Sequence, residues 1–438
     1  MAGRGYGRGA AVLSAGIGAT GLITYGYFSL ASHSLSAADY GEITLLWSAV
    51  FVTTSVLYRP VEQLLSRTIA DREARGQTGR EHLRVAATIQ LALGAAFAVA
   101  ALALRAPIED DLFEGSSTLY WVLIVTVLAY AVSYFARGFL AGSRRYGLYG
   151  ALVLIEASSR VLFALAVALG IGSGQSLVAL GMAAAPIVSL AVVPLALRQL
   201  SRHRARADVP IGPAPGDDAA PGDEVAPTTE AEFTLSHGTG FAVAILAIMV
   251  AEQTFLNAGP LLVKATEGSS GAALAGFTFN VLLIARAPLQ LFQAVQTSIL
   301  PHLTRLGARG ETDPFRRSVN VTLAAIAGFA LAVALVMLAA GPTLMSIVFG
   351  GELEYDRLGL VLVAFGMGFY LAAATLNQAL LARGRAQLAC AAWLAAAAAF
   401  VAFLLLPGFD GRVLQVEVGY AGAALLLSAS LYALYRRA

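Results

Sequence analysis

The residues able to do chemistry here are ionisable and amide groups set inside long apolar runs. Arg286 is the sharpest: it stands mid-way along such a run, just before Pro288, with Asn280, Gln290 and Gln293 on the same segment. A guanidinium facing a wet cavity presents a planar fork of donors, so it can hold a diphosphate bidentately where a neutral side chain cannot. The competing reading has Arg286 neutralised by a buried carboxylate, the two merely fixing a pair of helices. Arg59 offers the same substrate chemistry, or an intrahelical pair with Glu62 three residues on. Glu252 is followed by Asn257, Gly259 and Pro260. A helix broken there would free backbone carbonyls that, together with the carboxylate, could hold Na+ or a proton. Glu252 is an equally good partner for Arg286. Glu156 and Arg160 are spaced i,i+4, so they can neutralise each other on one face, and a structural pair is expected. Ionised groups in hydrocarbon are costly, which makes each of these a functional candidate by default.

The elements that position them are transmembrane helices. Of 438 residues, 58% are hydrophobic and 13% charged, with mean hydropathy +0.72. Soluble domains carry roughly twice that share of charge, so the composition describes a polytopic membrane protein. Spans of about 20 mostly apolar residues lie near 10–32, 42–66, 84–104, 118–140, 147–169 and 177–197. Six more lie near 239–262, 272–299, 318–340, 358–381, 386–406 and 414–435. With the N-terminus inside, the inner segments hold 22 of the 29 Arg and Lys, and the outer ones only Arg105, Lys264, Arg357 and Arg412. That asymmetry is what the positive-inside rule requires, and it places both termini in the cytoplasm. Tyr25, Tyr27 and Phe28 on the first span are expected as interfacial anchors. The single cysteine, Cys390, removes an internal disulfide or a cysteine metal cluster from consideration.

The stretch 199–238 is rich in Pro, Gly and charge and has no apolar run, so it reads as a flexible cytoplasmic linker. It separates an N-terminal lobe, 1–198, from a C-terminal lobe, 239–438. The two look like copies. Ala106-Pro107 through Phe113 matches Gly341-Pro342 through Gly350, Arg75-Gly76 matches Arg309-Gly310, and the Phe139–Gly142 step echoes Leu380–Gly384. Each lobe has six helices and begins inside, so the lobes are expected to be related by an axis along the membrane normal, with a substrate path between them.

At this point the residues resemble a known family. The stretch GPTLMSIVFGGEL from Gly341 to Leu353, the run Ala136 to Tyr146 leading into the helix of Glu156 and Arg160, and Arg59-Pro60 are similar to polysaccharide-type lipid flippases. These belong to the multidrug/oligosaccharidyl-lipid/polysaccharide exporter superfamily. The resemblance implies an all-α, MATE-like exporter fold, with twelve helices in two pseudo-symmetric lobes around a central cavity, working by alternating access in a bacterial plasma membrane. It implies a lipid-linked oligosaccharide as substrate, moved from the inner to the outer leaflet, and Na+ or H+ as the coupling ion at Glu252 and Asn257. It further implies glycosyltransferases or a polymerase of the same pathway as partners, and no nucleic acid. A multidrug or cation antiporter of the same fold is the alternative, but the first helix carries no acid. A membrane enzyme would need a sizeable outer catalytic loop, and Arg105–Ser117 is short; no phosphate-loop signature GxxxxGK[ST] is present. No catalytic residue and no metal site are expected.

Overall fold

The computed structural model describes residues 2–74, 81–191, 235–268, 271–286, 288, 312–350, 354–407, 409 and 411–437. Among them the chain is helical throughout. The first half comprises α1 (Ala2–Ser34), α2 (Ala37–Leu57), α3 (Arg59–Ala74), α4 (Glu81–Ala103), α5 (Ser117–Gly142), α6 (Tyr146–Ala168) and α7 (Gln175–Ser189). The second comprises α8 (Leu235–Glu267), α9 (Gly271–Arg286), α10 (Thr312–Phe349), α11 (Arg357–Ala382), α12 (Ala386–Leu404) and α13 (Arg412–Arg437). Every expected span holds a helix within its described residues. Nine of the described helices, with α2 and α3 counted as one run, are long and apolar enough to cross a membrane; α7 and α9 are shorter and apolar.

Several boundaries differ from the sequence reading, each for a local reason. The second span is jointed at Tyr58, because Pro60 has no N–H to continue the ladder and fixes its own φ. The outer loop after α4 forms a π-helical turn over Pro107–Leu112. The stretch from Gly341 belongs to α10, which runs through Pro342 to Phe349. The expected linker lies mostly outside the described residues, and its last residues, from Leu235, already belong to α8. The Arg75-Gly76 and Arg309-Gly310 match also lies outside them.

The internal repeat is visible in the backbone. Helices α5 and α11 are both 26 residues long, and each starts with a side-chain cap: Ser116 accepts from the Leu119 N–H, and Asp356 from that of Gly359. Each ends in the same way. Arg144 and Gly384 take left-handed conformations, φ 55° and 71°. The next N–H reaches back to the helix, Arg145 to the Leu140 carbonyl at 2.8 Å and Arg385 to that of Leu380 at 2.9 Å.

Packing in lipid depends on close helix approach rather than on a hydrophobic gradient. On α5, Gly138 and Gly142 form a small-residue stripe, and a Cβ at either would meet the α3 backbone at 2.8 and 2.9 Å, at the Glu62 and Ser66 carbonyls. That contact seats α3, which carries Arg59 and Glu62. The two halves meet at their outer ends, with outer and inner assigned by the arginine asymmetry. There α2 runs against α8 and α9 so closely that a Cβ on Gly41 would come within 1.8 Å of the Ala272 carbonyl. Lys264 of α8, whose side chain is 2% exposed, pairs with Glu114 of the first half at 2.6 Å. Tyr40 of α2 donates to the Asn280 amide oxygen of α9, whose Nδ2 lies 3.3 Å from the Tyr355 hydroxyl.

This contact has a measurable consequence. In a Cys390→Ser, Ala275→Cys background, the fully buried position 275 should be unreactive to a membrane-impermeant maleimide added outside. Adding Gly41→Leu should make it reactive, because the side chain cannot fit while α2 and α9 are apposed. Unchanged labelling would mean that α2 and α9 do not hold the outer side shut.

Candidate functional site

On the inner side of that contact lies a cavity of about 460 Å³ between the halves. Its charged lining is Arg59 and Glu62 of α3, Arg137 of α5 and Arg286 of α9. Among the described residues, three guanidinium groups and one carboxylate therefore line it. The walls between them are aromatic, with Tyr25 and Phe28 of α1, Trp47 and Phe51 of α2, Tyr134 of α5 and Tyr149 of α6.

Arg286 is held by α8. Helix α8 passes through Gly259-Pro260 without breaking, contrary to the expected interruption. Pro260 has no N–H, however, so the carbonyl one turn earlier, that of Leu256, loses its ladder donor. The Arg286 Nη2 donates to that carbonyl and to the Asn257 Oδ1 at 3.0 Å. The guanidinium carbon sits 4.4 Å from the centre of the Phe279 ring. The Nε is buried and has no partner. Arg286 is thus neutralised by no carboxylate among the described residues, and the expected partner Glu252 is engaged elsewhere.

Glu252 interacts electrostatically with Arg59 of the opposite half. Asn257 spends its amide oxygen on Arg286 and turns its Nδ2 to the Gln253 carbonyl and side chain, at 3.2 and 3.1 Å. Glu252 thus lies within electrostatic reach of Arg59, and Asn257 orients Arg286. Arg59 also senses Glu62, as its spacing suggested. Glu62 in turn accepts from the Tyr149 hydroxyl at 3.0 Å.

Two expectations are corrected. Glu156 and Arg160 are not a pair. Glu156 is bound by Arg137 of α5, and its other oxygen accepts from Ser133 and Ser189. Its acceptor sites are thus filled by neighbouring helices, whose approach an i,i+4 spacing cannot reveal. Arg160 instead lies over Trp47 and Phe51, 4.6 and 5.7 Å from the ring centres, with Nε and Nη1 buried and unpartnered. Asn280, expected to bind substrate, is 3% exposed and locked into the outer contact with Tyr40 and Tyr355. Gln290 and Gln293 lie outside the described residues.

Sequence reasoning missed Arg137, which it counted among the inner arginines. Its guanidinium lies 4.6 Å from the Tyr134 ring centre and 5.8 Å from that of Tyr130. Two tyrosines placed three and seven residues before an arginine near a helix end were the available signal. Tyr25 and Phe28, expected as anchors, line the cavity. Tyr27 is buried, its hydroxyl 3.4 Å from the Val178 carbonyl.

Comparison with solved structures places this architecture. The chain superposes on the inward-facing conformation of a multidrug resistance MATE family transporter of the MOP superfamily with TM-score 0.67, at 13% identity, covering 98% of this chain and 97% of that one. The fold is that of the MATE transporters. The outward-facing conformation of such a transporter aligns with TM-score 0.58 at 13% identity, over 98% and 95% of the two chains. The Vibrio cholerae MATE transporter VcmN in its bent form aligns at 0.59 and 15% identity, over 98% of each chain. No protein-family model matches the sequence, and no curated protein matches it at a significant level.

Proposed function

We propose that the protein is an alternating-access transporter of an anionic, diphosphate-bearing lipid-linked oligosaccharide, acting in a bacterial plasma membrane. One observation carries this reading: among the described residues, the cavity between the halves is lined by Arg59, Arg137 and Arg286 with Glu62 as its carboxylate, and Arg286 has no acidic partner. The Arg286 guanidinium, which no acid among the described residues neutralises, favours a phosphate over a cationic drug. The volume is within the range of about 300–1,000 Å³ usual for small-ligand pockets, enough for a head group while the isoprenoid tail stays in lipid. The aromatic walls supply flat surfaces for sugar rings. Helix α8 fixes the orientation of Arg286 before any substrate arrives. No covalent step is required, and turnover draws on a gradient of Na+ or H+. Glycosyltransferases or a polymerase of the same pathway supply and consume the carried lipid.

A multidrug or cation antiporter is the second reading, favoured by the names of the structural neighbours. The two are separated by reconstituting the wild-type protein in proteoliposomes. Flipping of a fluorescent polyprenyl-diphosphate oligosaccharide, with no proton-driven ethidium movement, is expected. Ethidium movement without lipid flipping would reverse the assignment.

A further inference from the structure

A second polar cavity lies at the inner ends of the second half, well away from the one between the lobes. It measures about 200 Å³ and is lined by Arg316 and Asn320 of α10 and by Tyr432, Tyr435 and Arg436 of α13. A third guanidinium borders it. Arg383, at the end of α11, lies 4.6 Å from the Phe315 ring centre and 4.7 Å from that of Tyr435, and donates to the Tyr435 carbonyl at 3.2 Å. That bond fixes Arg383 and satisfies a carbonyl at the negative end of the α13 dipole. Arg316 and Arg436 remain at the cavity.

Neither of them, nor Arg383, forms an ion pair with a carboxylate among the described residues; Asp313, one turn before Arg316, is not bonded to it. Tyr435 is 5% exposed, and its hydroxyl is buried without a hydrogen-bond partner. A buried hydroxyl without a partner costs free energy comparable to a lost hydrogen bond. Arg316 of α10 and Arg436 of α13 both line the cavity without a carboxylate partner among the described residues, and an anion between them relieves the repulsion of two like charges. A phosphate group fits both deficits. It accepts from two guanidinium forks at once, and from a phenolic hydroxyl. The cavity sits where α10, α11 and α13 reach the cytoplasmic surface, the depth at which anionic head groups of the inner leaflet are found.

We propose that Arg316, Asn320, Tyr435 and Arg436 form a phosphate-binding site for the head group of an anionic inner-leaflet lipid, separate from the transport cavity. The site holds the inner ends of α10 and α13 together through the ligand.

Native mass spectrometry of the full-length protein, released from detergent with dioleoyl phosphatidylglycerol or dioleoyl phosphatidylethanolamine, tests it. Wild-type protein should retain the glycerol lipid over the ethanolamine lipid. Arg316→Gln with Arg436→Gln should lower that retention about tenfold. Arg317→Gln with Arg437→Gln removes the same charge from neighbouring positions outside the cavity lining, and should leave retention unchanged. Equal loss in both double variants would mean diffuse surface charge and would overturn the site, as would equal retention of the two lipids by wild type. Should the Arg316/Arg436 variant fail to fold, Tyr435→Phe, which removes one hydroxyl and no charge, must lower retention of the glycerol lipid for the site to stand. Inorganic phosphate serves as the competitor. If millimolar phosphate displaces the lipid, the same residues read soluble phosphate; if it does not, they read the lipid head group.

Discussion

Arg286→Ala is expected to abolish transport in a stably inserted protein, while Arg286→Lys retains part of it. The wild-type guanidinium is held on three sides, by the Leu256 carbonyl, the Asn257 amide and the Phe279 ring. This fixes where the positive charge lies before any substrate arrives, so little is lost in ordering it on binding. Alanine removes the charge, leaves the Leu256 carbonyl without a donor and opens a void beside Phe279. Charge-assisted hydrogen bonds contribute about 1.5–3 kcal/mol each, so loss of one to the substrate corresponds to a rate fall of roughly 10- to 10²-fold. Lysine keeps a point charge and can satisfy one carbonyl, but it cannot present a planar fork or stack as well. Flipping rates in proteoliposomes, measured beside the amount of inserted protein, check the prediction. Normal flipping by a stably inserted alanine variant would remove the central role given to Arg286.

How much of this site was legible in the sequence follows from the range of each interaction. Spans were readable because bilayer thickness acts on the chain one segment at a time. The position of Arg286 was readable for the same reason. Its partner was not, since a carbonyl freed by Pro260 matters only if another helix brings a donor to it. Asn280 is the instructive failure. Six residues separate it from Arg286, which at 3.6 residues per turn turns the two about 120° apart on α9. The sequence alone therefore argued against placing both in one cavity, and the structure turns Asn280 to Tyr40 and Tyr355. Arg137 escaped for the converse reason. Near the end of a helix it satisfies the positive-inside count whether it points to water or into the cavity.

The second large effect is expected at Glu156, whose carboxylate is bound by Arg137. Glu156→Ala takes from Arg137 its salt-bridge partner. Breaking a buried pair from one side costs about 3–5 kcal/mol, because the surviving charge stays desolvated. The amount of folded protein extracted from membranes should fall several-fold. The pairing then predicts which second change rescues it. Adding Arg137→Ala removes the orphaned charge and should restore much of the level, with a coupling energy of opposite sign to the single losses. Adding Arg160→Ala should not, because Arg160 already stands apart from Glu156 and is held by the faces of Trp47 and Phe51. Removing Arg160 would instead strip those rings of their cation. Extraction levels of the three variants, read by size-exclusion fluorescence, decide the matter. Rescue by Arg160→Ala and not by Arg137→Ala would return the pairing to the intrahelical one that the spacing suggested. The distinction bears on function as well as folding. An Arg137 tied to Glu156 is aimed at the cavity by α6, so loss of Glu156 should weaken substrate binding even in the fraction of protein that survives.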